Sequence, residues 1–197
     1  MTERWFPATI MATEFRVLEQ DEAAAETFGL AQARRDVMVI GIGNPLRGDD
    51  AVGIHLVQRL KRHFTGDFKG IVAYEADIGL AEEISCYPAL LVIDALAASS
   101  EPPFQMLPLP AASTIFPAGG FSSHVFNWGM VLAMARDIFG RCPEAFLCGI
   151  RAHSFAIDER LSPLCQTAAD AAFDYLTRLL AAEDADGEAQ QGWGGLS

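Results

Sequence analysis

From Asp36 onward the chain alternates short, continuous apolar runs with amphipathic stretches. Val37–Ile42 is unbroken and β-rich, the pattern of a strand covered on both faces of a parallel sheet. Gly43–Gly48 is a turn-rich loop. Asp49–Phe64 then predicts an amphipathic helix, with Val52, Leu56, Leu60 and Phe64 spaced four apart on one face. Strand, loop and helix in that order open a βαβ unit. Gly70–Ala76 predicts a second strand, Leu80–Tyr87 a short helix, and Ala89–Ala95 another buried strand. A Pro-rich stretch from Pro102 to Gly120 holds a short edge strand near Phe104–Leu107. Val125–Phe139 reads as a helix capped by Ser122 or Ser123, and Ala145–Ile150 as a strand. Ser162 caps a last helix, with Pro163 in its first turn, that runs to about Ala182. No internal repeat is visible. The pattern predicts an α/β fold, a three-layer sandwich whose mostly parallel central sheet is flanked by helices, in a single domain over residues 36–182.

The flanks read differently. Residues 1–35 form a weakly patterned N-terminal extension, within which 16–33 is a poor helix candidate and Met11 an alternative start. Residues 183–197 are acidic and Gly-rich with little apolar content, which predicts a disordered tail. A length of 197 residues, with 51% of them hydrophobic, suits one core. No apolar run approaches the roughly 20 residues that span a bilayer. The first residues are rich in glutamate and lack the apolar stretch of a secretory signal, so a cytoplasmic protein is expected. A net charge of −12 opposes binding to a phosphate backbone, which needs clustered Lys and Arg, and leaves basic or metal-bearing partners open.

Three polar positions fall at the carboxyl ends of predicted strands, where open α/β sheets gather their functional groups. Asp50 follows the first strand and its loop. It is either a helix-start acid complementing the dipole, a role Asp49 could fill alone, or a functional carboxylate. Asp94 ends the run Ala89–Ile93 and is either a turn former or an edge acid with a partner. His124 opens the 125–139 helix, where the positive dipole end favours neutral imidazole, the form a metal binds. Two carboxylates and an imidazole suit a divalent ion such as Ni²⁺ or Zn²⁺ with positions left open. His55, His63 and His153 are weaker candidates. Cys86, Cys142, Cys148 and Cys165 show no C-x-x-C spacing, so free and mostly buried thiols are expected. The loop from Gly41 to Leu46 fails the dinucleotide fingerprint, because Leu46 stands where the third glycine belongs. Neither an HExxH helix nor a GxSxG elbow occurs.

The stretch Val39–Gly53, with its Gly41-Ile42-Gly43-Asn44 and Asp49-Asp50, resembles the N-terminal signature of hydrogenase maturation proteases. Leu91-Val92-Ile93-Asp94-Ala95 and Ser122-Ser123-His124 resemble two later blocks of that family, in the same order. The likeness runs over roughly residues 36–182. Tyr74–Gly79 replaces the Asp-Gly-Gly-Thr turn common in the family, and Gly149–Ala152 lacks a Pro often found nearby. Both departures bear on which hydrogenase would be served and how it docks. The resemblance implies an endopeptidase that removes the C-terminal extension of a nickel-loaded hydrogenase large-subunit precursor. It also implies that Asp50, Asp94 and His124 grip the metal, the nickel being supplied by the substrate. A monomer is the simple expectation. The alternatives are a non-proteolytic docking protein or metallochaperone in hydrogenase assembly, a nucleotide-binding module, and another hydrolase of similar fold such as peptidyl-tRNA hydrolase. That last family's Thr-Arg-His-Asn block is missing here.

Overall fold

The computed structural model describes residues 37–97 except 65 and 67, residues 102–111, and residues 123–181, the helix over 123–127 by its backbone alone. The expected N-terminal arm and acidic tail lie outside the described residues. Five strands form one sheet: β1 (Val37–Ile42), β2 (Lys69–Ala73), β3 (Ala89–Ala97), β4 (Phe104–Pro108) and β5 (Glu144–Ala152). Among the described residues, four α-helices accompany them: α1 (Val52–His63), α2 (Leu80–Ser85), α3 (Ser123–Phe139) and α4 (Pro163–Ala181). The strand order is β2-β1-β3-β5-β4, and only β4 runs antiparallel to its neighbour.

The direction of β4 follows from chain length. The connection from Ala97 to Phe104 is too short for the crossover of a dozen or more residues that a parallel strand requires. The chain therefore re-enters the sheet from the edge at which β3 ended, outside β5, and α3 then carries it back to begin β5.

Alternation along each strand divides the core into two layers. Val37 and Val39 of β1 and Leu91 and Ile93 of β3 pack with α1 and α4. Met38, Ile40 and Ile42 of β1 and Leu90 and Val92 of β3 pack on the other face with α2 and α3, where Trp128 is fully buried. Arg59 joins α1 to α4: its guanidinium lies 4.2 Å from the centre of the Phe173 ring and 2.6 Å from Asp170.

Among the described residues the predicted elements are present, with three main adjustments. The first helix does not start at Asp49; Gly48–Ala51 is a separate 3₁₀ turn, and α1 begins at Val52. β2 stops at Ala73, and the chain bends through Tyr74 and Glu75. β3 and β5 outrun their apolar cores because their ladder continues to the pair Ala97↔Ala152. Ser162 caps α4 as expected, its hydroxyl oxygen accepting the Cys165 N–H at 3.3 Å. Among the described residues, no helix is long and apolar enough to cross a membrane.

Candidate functional site

The chain leaves β1 for β2 on one side and reaches β3 on the other, so the sheet order reverses between β1 and β3. The crevice outside the carboxyl ends of two such strands is where doubly wound sheets bind ligands. Asp50 and Asp94 both lie at that edge. The β1–β3 ladder ends at Gly41↔Ile93, which makes Asp94 the first β3 residue past it. Alternation places Asp94 with Leu90 and Val92, on the face that α2 and α3 cover. The residue is 3% exposed, and its Oδ1 accepts the Ala95 N–H at 2.7 Å.

Close backbone packing holds the turn that bears Asp50. Gly43 has φ +138°, and a β-carbon there would fall on the Asp50 carbonyl oxygen. A β-carbon on Gly53 would fall on the Ile93 carbonyl oxygen, so α1 starts against the backbone of β3. The glycines of the motif thus serve helix-on-strand contact, and the space before α1 is filled by its own chain. The amides there are already engaged. Asn44 N–H donates to Asp50 Oδ2 at 2.9 Å, Gly48 N–H to the Asp158 carbonyl at 2.7 Å, and Asp49 N–H to the Ser154 carbonyl at 2.9 Å. A carboxylate sits where a dinucleotide phosphate would need free N–H groups.

Asp50 is half-buried, and among the described residues its Oδ1 accepts no hydrogen bond. Asp49 behaves in the opposite way. It is fully buried, and its carboxylate accepts four hydrogen bonds from the segment that joins β5 to α4. The N–H groups of His153 and Ser154 reach Oδ2 at 2.7 and 2.9 Å, the Ser162 N–H reaches Oδ1 at 2.6 Å, and the Ser162 hydroxyl reaches Oδ2 at 2.8 Å. Burial pushes its pKa up, but the bonds from Ser162, His153 and Ser154 together outweigh that and hold the carboxyl below its ordinary value. Asp49 makes no side-chain cap to the helix that follows. Its hydrogen bonds make it a long-range brace rather than a side-chain cap. The partners lie 104 to 113 residues away, and no local pattern marks them.

His124 is the second residue of α3, and its side chain lies outside the described residues. Among the described residues, no three His, Cys, Asp or Glu side chains gather as a metal site. Of the weaker candidates, His55 is partly buried in α1, which lowers its pKa with help from Arg62, and His63 packs edge-on against Phe64 and Phe173. His153 is exposed, and its backbone N–H serves Asp49.

All four cysteines are free, but the expectation that most are buried holds for only two. Cys148 and Cys165 are buried, and their thiols are pushed up to about 12. Cys86 and Cys142 are exposed and line a cavity of about 430 Å³ at the amino ends of β3 and β5, away from the Asp50–Asp94 edge.

Fold and site together define a doubly wound α/β domain with two carboxylates at its switch point. Solved hydrogenase maturation endopeptidases share this fold. HybD from E. coli matches with a TM-score of 0.60 and 22% identity, covering 74% of this chain and 91% of that one. HycI from Thermococcus kodakarensis, a NiFe hydrogenase maturation protease, matches with a TM-score of 0.57 and 22% identity, over 75% of this chain and 93% of that one. A hydrogenase 2 maturation peptidase from a Thaumarchaeota archaeon matches with a TM-score of 0.54 and 24% identity, over 75% and 99%. In sequence, a Methanocaldococcus jannaschii chain named as a candidate hydrogenase maturation protease is 53% identical over 30 residues. That match spans 15% of this chain and 18% of the relative. No family model matches.

Proposed function

We propose that this chain is a processing endopeptidase that removes the C-terminal extension of a nickel-loaded NiFe-hydrogenase large-subunit precursor. In this reading Asp50, Asp94 and His124 grip the substrate's nickel. The observation that carries it is the position of Asp50 and Asp94 beyond the carboxyl end of β1, Asp94 just past the last β1–β3 ladder pair, in a fold shared with hydrogenase maturation endopeptidases. Position 124 opens α3, on the side of the sheet to which Asp94 belongs, one helical turn before the buried Trp128.

The donor set fits a borderline divalent ion. Asp50 offers Oδ1 while Asn44 holds its Oδ2, so the carboxylate can bind without losing its orientation. Asp94 is buried, and its carboxylate supplies a second charged oxygen donor. Gripping the metal through its open positions would set the scissile peptide bond against the site, so that binding energy supplies orientation. The exposed apolar side chains of Leu46, Tyr74 and Ile157, on loops at this edge, suit contact with an extended peptide. The strongly negative chain disfavours a nucleic-acid substrate.

The test is to incubate the purified protein with its cognate nickel-loaded precursor and to weigh the product. A discrete C-terminal loss, absent with nickel-free precursor, is expected. An unchanged mass with a verified nickel-loaded precursor overturns the reading and leaves a docking role.

A further inference from the structure

We propose that Asp49 is the positioning residue of this site, holding the 3₁₀ turn against the 153–162 segment and thereby aiming the Asp50 carboxylate. The inference rests on the functional reading only in treating Asp50 as the group that grips the substrate's metal.

In a 3₁₀ turn successive side chains stand about 120° apart, so fixing one residue fixes the direction of the next. The turn Gly48–Ala51 is only four residues long and has few bonds of its own. The Asp50 N–H reaches only back to the Arg47 carbonyl, at 3.1 Å. Beyond its local contacts with Gly43 and Asn44, further restraints come from the far segment. Arg47 bridges to Asp158, the Gly48 and Asp49 N–H groups donate to the Asp158 and Ser154 carbonyls, and the Asp49 side chain takes four donors. Asp49 is fully buried, and hydrogen bonds to a charge in such surroundings are stronger than in water. Ser162 ties the brace to a rigid element, since its hydroxyl donates to Asp49 Oδ2 while its oxygen caps α4 through the Cys165 N–H. The outcome is read at a different bond, the Asn44 N–H to Asp50 Oδ2 contact at 2.9 Å, which exists only while the turn is correctly rotated.

Ser162→Ala removes one of the four donors, and Asp49→Asn replaces an all-acceptor carboxylate with an amide whose NH₂ group must face donors. Both variants are compared with wild type by amide hydrogen exchange in nuclear magnetic resonance and by precursor processing. The Asn44 amide should exchange faster in each, while the amides of the β1–β3 ladder keep their protection. Processing kcat/KM should fall about 10- to 100-fold in Asp49→Asn and less in Ser162→Ala. Ser162→Thr, which keeps the hydroxyl, should restore both readings. Unchanged Asn44 exchange in folded Asp49→Asn and Ser162→Ala overturns the proposal, whatever happens to processing. Normal processing by Asp49→Asn, in an assay where Asp50→Ala is inactive, also overturns it. If wild type fails to process the nickel-loaded precursor but the exchange coupling holds, the functional reading falls and the positioning role stands.

Discussion

The α-carbon of Gly53 rests against the carbonyl oxygen of Ile93, so close that a β-carbon would fall on that oxygen. This contact sets the first turn of α1 onto the end of β3, one residue before Asp94. Helix propensity alone favours alanine at position 53 by about 1 kcal/mol. Overpacking against backbone, which cannot swing aside as a side chain can, costs typically about 1–3 kcal/mol and occasionally more. Three backbone atoms lie within 2.8 Å of that β-carbon, which puts the cost at the top of this range, so Gly53→Ala should lose about 2 kcal/mol net, seen as a lower urea midpoint. Gly149→Ala, whose β-carbon would meet only the Leu96 side chain at 3.2 Å, should lose less.

Asp50→Asn keeps an oxygen that can accept the Asn44 N–H, so the fold should hold within about 0.5 kcal/mol. Precursor processing should nevertheless fall on the order of 100-fold or more, because the charged donor is lost where the substrate is oriented. Asp94→Asn should lose processing in the same way. Cleavage at the wild-type rate by both variants, followed by mass, would remove these carboxylates from the mechanism.

Asp49 links stability to pH with a definite sign. Its native pKa lies below its ordinary value, so its contribution is full above the unfolded pKa of about 3.9 and is lost as pH falls through the native value. Asp49→Asn should be less stable than wild type at neutral pH by about 2 kcal/mol or more. The gap should stay constant from about pH 7 to 5 and shrink below about pH 4. Urea melts across that range read it directly, and a gap that widened on acidification would contradict the hydrogen-bonded carboxylate.

Thiol labelling should divide the cysteines evenly. Cys86 and Cys142 are exposed, whereas Cys148 and Cys165 are buried with thiols pushed up to about 12. An alkylating reagent near pH 8 should modify two thiols in the native protein and four in denaturant, as counted by mass. Rapid labelling of a third in the folded state would mean that the α4 layer opens.

Much of the architecture was legible along the chain because its signals are local. The unbroken apolar runs at Val37–Ile42 and Ala89–Ile93 marked strands covered on both faces, and both lie at the centre of the sheet. The spacing of Val52, Leu56 and Leu60 marked the buried stripe of α1. Asp50 could be placed at that edge because it follows a strand and its loop, and Asp94 because it ends an apolar run, although β3 itself continues past Asp94 to Ala97. The brace made by Asp49 was not legible for the converse reason: its partners Ser162, His153 and Ser154 are more than 100 residues away along the chain.

By itself, the sequence determined the order and type of the elements, the α/β class, and the positions of Asp50, Asp94 and His124 relative to strand and helix ends. These follow from periodicity and apolar run length, which reflect how each segment meets its immediate surroundings. The tertiary structure decided the strand order, the split between the 3₁₀ turn and α1, and the outward or inward role of each member of the Asp49-Asp50 pair. Each of these depends on residues far apart in the chain competing for the same neighbours. That competition is settled by close backbone contact and by the need to satisfy buried polar groups, neither of which leaves a mark at a single position.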